Sequence, residues 1–180
     1  MASNEIEAIP KLDQLLTTEE VKKSNNISKI TDKIYLGDEE GAKDLDYLKA
    51  EQIHYVLSII ENPPKYPEDM GINLMHLNIE DKCTNNNINY YVIKCIDFLD
   101  KADKVLVHCS LGINRSAAII IGYLMWKTHS SYGEVYDFVK KRRECIEPNN
   151  LFIIQLNKFQ NLLKTNNYNI QKIEVNPKPK

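Results

Sequence analysis

Two strongly apolar segments held apart by one short turn leave this chain few ways to fold. Val105-Leu106-Val107 is an unbroken apolar triplet, and from residue 116 to residue 126 the sequence SAAIIIGYLMW is apolar at nearly every position. The triplet suits a strand buried on both faces of a sheet. The longer run reads as a helix buried on all sides, and it is too short to cross a bilayer. A buried strand turning directly into a buried helix is the unit of an α/β fold with a central, mainly parallel sheet flanked by helices. Open sheets of this kind place ligands at the C-terminal ends of their strands, so the functional site is expected in the turn, at residues 108–116.

Other elements fit around that unit. Residues 33–37 read as a short strand closed by Gly37, followed by a charged helical segment ending near Glu51. Residues 53–60 and 72–79 read as two more strands, separated by the chain-breaking Asn62-Pro63-Pro64. After an asparagine-rich loop at 80–89, Val92, Ile93, Ile96 and Leu99 recur at helical spacing. Ser131 with Glu134 forms a capping box opening a helix through Arg143, and Pro148-Asn149-Asn150 precedes an amphipathic helix to about Lys164. Residues 28–164 are thus expected to form one domain. Residues 1–27 are a polar N-terminal extension in which Ile6, Ile9, Leu12, Leu15 and Leu16 permit a short amphipathic helix, and 165–180 are a C-terminal tail without pattern.

Composition excludes several classes of function. A net charge of -2 gives no basic field, so nucleic acid is not the expected partner. No run of eighteen apolar residues is present and the first residues lack a basic-then-apolar leader, so no membrane span is expected and the location is read as cytoplasmic, with nuclear access open. Cys83, Cys95, Cys109 and Cys145 include no C-x-x-C pair, which suggests neither a zinc site nor a disulfide framework. No metal and no organic cofactor is called for.

The turn reads His108-Cys109-Ser110-Leu111-Gly112-Ile113-Asn114-Arg115-Ser116, a cysteine and an arginine with five residues between them. Successive N–H groups of such a turn, with the free N–H groups opening the helix, form a concave anion site that fits a tetrahedral phosphate. Arg115 at the helix start can hold two phosphate oxygens bidentately, and Gly112 permits the backbone the turn requires. The same field lowers the Cys109 thiol toward a reactive thiolate. Ser116 can donate to that sulfur, and His108 can brace the loop from behind.

His-Cys-x-x-Gly-x-x-Arg-Ser resembles the signature of the protein tyrosine phosphatase superfamily, and the other landmarks resemble its small dual-specificity branch. Ile34-Tyr35-Leu36-Gly37 is similar to the first strand of that branch, Val105-Leu106-Val107-His108 to its central strand, and Arg142-Arg143 through Pro148-Asn149 to the segment before its last helix. The similarity covers about residues 30–164. It implies a phosphatase acting on phosphotyrosine, phosphoserine and phosphothreonine in proteins, kinases among the candidate partners, by way of a phosphocysteine. Asp81 matches the family's general acid, with Glu80 as competitor, and Asn149 matches a residue that holds the phosphate loop from the neighbouring segment. Ser58 stands where relatives often carry asparagine, and Asn114 where serine is frequent. No residue from 110 to 114 is basic, which favours a singly phosphorylated protein side chain over a polyanionic phosphoinositide or an RNA 5′ end. A binding module that captures phosphoproteins without hydrolysis is the remaining alternative.

Bland readings apply elsewhere. Cys83 is an ordinary loop cysteine, with a regulatory disulfide to Cys109 as the alternative; Cys95 and Cys145 are packing residues. The basic run at 140–143 is a solvated helix end rather than a docking site. His54, His76 and His129 show no ligand spacing.

Overall fold

A computed structural model describes residues 8–17, 24–79 and 87–177 of the chain. Among these residues five strands form one sheet: β1 (Ile27–Lys29), β2 (Ile34–Gly37), β3 (Tyr55–Ser58), β4 (Asn73–His76) and β5 (Val105–His108). Their spatial order is β1-β2-β5-β3-β4, with β1 antiparallel to β2 and the other pairings parallel. The apolar triplet is therefore central, as its composition requires, with Leu36 and Leu57 flanking Val107 and with Gly37 and Ser58 flanking His108.

Side chains alternate between two cores along these strands, since successive strand residues face opposite ways. Ile34, Leu36, Leu57, Val105 and Val107 face the larger one, built with α3 (Ile88–Lys101), α4 (Arg115–Thr128), α5 (Tyr132–Lys140) and α6 (Asn150–Thr165). Tyr35, Val56 and Leu106 face the smaller, with Tyr47 and Leu48 of α2 (Leu45–Ala50) and Ala42 of α1 (Glu39–Lys43). The helix α4 is buried on all sides, from Arg115 through Met125, because it lies between the sheet and α3, α5 and α6. Among the described residues, no helix is long and apolar enough to cross a membrane.

Several local expectations change. The charged helix before Glu51 is two helices, because Asp44 closes the first and caps the second, its carboxylate accepting from Tyr47 N at 2.9 Å. Both strands expected at 53–60 and 72–79 shorten to four residues each, and α5 stops at Lys140 rather than Arg143. The capping box at Ser131 and Glu134 is present. Strand β1 was not foreseen, and the expected boundary between residues 27 and 28 falls inside it. Among the described residues of the N-terminal extension, Leu12–Gln14 form a 3-10 turn, with Leu12 and Leu15 against the larger core; Ile6 lies outside the described residues. The C-terminal tail packs too: Ile173 is buried, Trp126 Nε1 donates to the Tyr168 carbonyl at 3.1 Å, and Asn87 N donates to the Pro177 carbonyl at 2.9 Å. Cys95 is buried as expected, but Cys145 is exposed rather than packed.

Candidate active site

The loop from Cys109 to Asn114 joins the C-terminal end of β5 to the N-terminus of α4, so the helix dipole and its unsatisfied N–H groups face the space the loop encloses. Cys109 lies at the floor, 2% exposed. Ser116 Oγ donates to its sulfur at 3.2 Å. Burial pushes the thiol pKa up, but donation from the Ser116 hydroxyl and backbone N–H, the charge of Arg115 and the Gly112 N–H together outweigh it and hold the thiol below its ordinary 9.0. Each of the two Ser116 donors contributes more than the arginine.

How the loop stays concave is visible in its carbonyls. The Ser110 carbonyl accepts from Glu39 N at 3.2 Å, and the Ile113 carbonyl accepts from Glu147 N at 2.8 Å. Between them, Arg143 Nη2 donates to the Leu111 carbonyl at 3.4 Å and Arg143 Nε donates to the Gly112 carbonyl at 2.9 Å. A planar trans peptide points its N–H opposite to its C=O. Four carbonyls bound on the outside therefore turn the N–H groups of Leu111, Gly112, Ile113 and Asn114 toward the inside, where an oxyanion would sit. Gly112 closes the turn at φ +64°; a Cβ there would lie 2.5 Å from the Gly37 carbonyl oxygen and 2.7 Å from Arg143 Nη2.

Arg115 occupies the first position of α4, 8% exposed, and folds back over the loop. Its Nη2 donates to Ser110 Oγ at 3.0 Å and its Nη1 to the Ile79 carbonyl at 3.2 Å. The guanidinium thus ties the segment after β4 to the loop, at the point where the chain leads on to Glu80 and Asp81. Glu80, Asp81 and Cys83 lie outside the described residues.

His108 is fully buried behind the loop, its Nδ1 3.4 Å from the Cys109 carbonyl. A carbonyl only accepts, so Nδ1 carries the proton. Burial lowers the imidazole pKa to about 4, which keeps the ring neutral at pH 7. Among the described residues its Nε2 has no hydrogen-bond partner, and neither has the buried Oγ of Ser58, its cross-strand neighbour. Asn149 reaches the loop through its backbone rather than its side chain. Its side chain caps α6, accepting from Phe152 N at 2.9 Å, while its backbone N–H donates to Asn114 Oδ1 at 2.8 Å. The departure from serine at Asn114 thereby acquires a role, since its longer side chain accepts that bond.

Arg143 is the residue that sequence reasoning missed. The sequence places it in a solvated basic run, yet it is 7% exposed. Its signal was position: Val135, Val139 and Arg143 fall four apart, and both valines are buried, so Arg143 continues the inward-facing row past the end of α5.

Comparison with known proteins agrees with this geometry. The family model "dual specificity phosphatase, catalytic domain" matches residues 34–162. A probable dual specificity protein phosphatase of Dictyostelium discoideum is 35% identical over 138 residues, covering 74% of this chain and 63% of that protein, so this chain spans less than two thirds of that relative's length. Dual specificity protein phosphatase 1B of Arabidopsis thaliana is 30% identical over 146 residues, 78% of this chain and 86% of that protein. Among solved structures, the crystal structure of DUSP15 matches with a TM-score of 0.72 at 26% identity, covering 84% of this chain and 99% of that one.

Proposed function

This chain belongs to the dual specificity phosphatase family, and on that footing we propose that it hydrolyses phosphotyrosine, phosphoserine and phosphothreonine in proteins through a phosphocysteine. The carrying observation is the pairing of a depressed Cys109 thiol with a loop whose carbonyls are all bound from outside. In the first step the Cys109 thiolate attacks phosphorus, the bond from phosphorus to the side-chain oxygen breaks, and the leaving oxygen takes a proton from Asp81. In the second, water attacks the phosphocysteine, Asp81 carboxylate takes the water proton, and the thiolate departs under the hydrogen bond from Ser116 Oγ. Charge building on the equatorial oxygens is met by the inward N–H groups and Arg115. Ser110, Leu111, Gly112, Ile113 and Asn114 form the phosphate-binding loop.

Substrate class follows from the rim. No basic side chain lies between residues 110 and 114, and Leu111 is 66% exposed beside the cradle, which suits an apolar neighbour of a phosphorylated residue better than a polyanionic head group. Cytoplasmic or nuclear phosphoproteins, kinases included, are the proposed partners. The test is phosphate release from matched phosphotyrosine and phosphothreonine peptides in the presence of chelator. Release is expected from both, with a bell-shaped pH profile whose alkaline limb flattens in Asp81→Asn. Release from a phosphoinositide or RNA 5′ end alone would move the substrate class, and tight binding of phosphopeptide without release would make the chain a capture module.

A further inference from the structure

Arg143 is a buried cation whose partners among the described residues are the Gly112 and Leu111 carbonyls and Ser28 Oγ at 3.3 Å, with no carboxylate among them. A guanidinium taken out of water needs its donors satisfied, and carbonyl oxygens do that without cancelling its charge. Two consecutive peptide planes of the phosphate loop, Leu111–Gly112 and Gly112–Ile113, take their outward acceptor contacts from this one side chain. The planes on either side are held by backbone donors, Glu39 N and Glu147 N, which no side-chain change removes. Arg143 is thus the side chain that sets the outward direction of these two planes, and substitution can delete it.

We infer that Arg143 is a positioning residue for phosphate chemistry: its fork fixes the Leu111 and Gly112 carbonyls outward, and so aims the Gly112 and Ile113 N–H groups at the bound oxyanion and at Cys109 Sγ. The inference rests on the reading of this loop as a phosphate site. Lysine keeps the charge but supplies one rotating ammonium in place of a planar fork, and cannot hold both carbonyls in the same geometry. The contact to Ser28 extends the clamp to the edge strand β1, so the loop is anchored to the antiparallel border of the sheet as well as to α1.

Arg143→Lys and Arg143→Met should lower kcat by about a hundredfold, as a misdirected donor pair does, while the KM for a small aryl phosphate changes much less. Both should also weaken inhibition by inorganic phosphate and move the pH profile of Cys109 alkylation by iodoacetate toward that of an ordinary thiol. A residue that only stabilised the fold would leave the last readout unmoved in Arg143→Lys once circular dichroism showed the variant folded. Wild-type kcat, phosphate inhibition and alkylation profile in folded Arg143→Lys would overturn the inference. If neither variant folds, the wild type decides: on titration with inorganic phosphate the Gly112 and Ile113 amide protons should shift downfield, and no shift at either overturns it. Alkylation and phosphate titration need no turnover, so an altered alkylation profile in a protein that releases no phosphate from peptides would uphold Arg143 and defeat the proposed activity alone.

Discussion

Replacing Gly112 by alanine should injure the loop twice, and the structure separates the two injuries. At φ +64° a side chain costs about 1–2 kcal/mol for the left-handed backbone alone. The new Cβ would also lie 2.5 Å from the Gly37 carbonyl oxygen, a backbone atom of a central strand, so the loop rather than the sheet must move. Overpacking of that kind costs about 1–3 kcal/mol more. The sum, roughly 2–5 kcal/mol, corresponds to a melting temperature lower by roughly 4–20 °C in a chain of this size. Movement of the loop breaks the Arg143 contacts, so turnover should fall by about a hundredfold or more. Gly71→Ala is the control, since Gly71 has φ +59° with nothing within 4 Å of a Cβ and should lose only about 1–2 kcal/mol. Thermal melting and phosphate release of the two variants, side by side, measure the crowding by difference. Gly112→Ala melting with Gly71→Ala and turning over like the wild type would refute the close approach of loop and sheet.

Ser116→Ala removes a hydrogen bond to a charged sulfur, worth about 1.5–3 kcal/mol, and should slow iodoacetate alkylation of Cys109 at neutral pH by roughly tenfold. An unchanged alkylation rate would assign the low thiol pKa to other donors. His108, with its pKa lowered from 6.5 to about 4, refuses a proton that the unfolded chain accepts. Its stabilisation is complete above pH 6.5 and is lost as pH falls through about 4, up to about 3 kcal/mol. Urea melts across that range should show the loss in the wild type and a flatter dependence in His108→Gln; equal slopes would place the acid sensitivity elsewhere. Asn149→Ala should lose a helix cap, about 1 kcal/mol of stability, with turnover little changed, because its backbone N–H still reaches Asn114. Asn114→Ala removes the acceptor and should slow turnover more than Asn149→Ala; the reverse order in steady-state assays would restore a catalytic part to the Asn149 side chain.

The centre of the fold was legible because its residues carry their burial in their own composition. Val105 to Val107 and the apolar run of α4 can be satisfied only inside, and Cys109 and Arg115 then stand at the two ends of one turn, near enough for the guanidinium charge to lower the thiol pKa. Elements defined by their partners were not legible. Strand β1 is three residues, Ile-Ser-Lys, too few to show a period, and exists because Ile27 to Lys29 pair with Tyr35 to Gly37. Tyr168 and Ile173 reach the body of the protein from a tail without pattern, through contacts to His129, Trp126 and the larger core that no local spacing encodes. Arg143 is misread for the same reason: a basic run looks solvated until the carbonyls it serves, 31 and 32 residues earlier in the chain, are brought beside it. Asp44 ended one helix and began another because an aspartate side chain competes with the helix for backbone N–H groups, a local signal that the charged stretch around it masked.

The most direct measurement is to quench turnover of a phosphotyrosine peptide with acid and map the phosphate on the chain by mass spectrometry. The account predicts phosphate on Cys109 in the wild type, and neither adduct nor phosphate release in Cys109→Ser. Phosphate on another residue, or release that persists in Cys109→Ser, would contradict it.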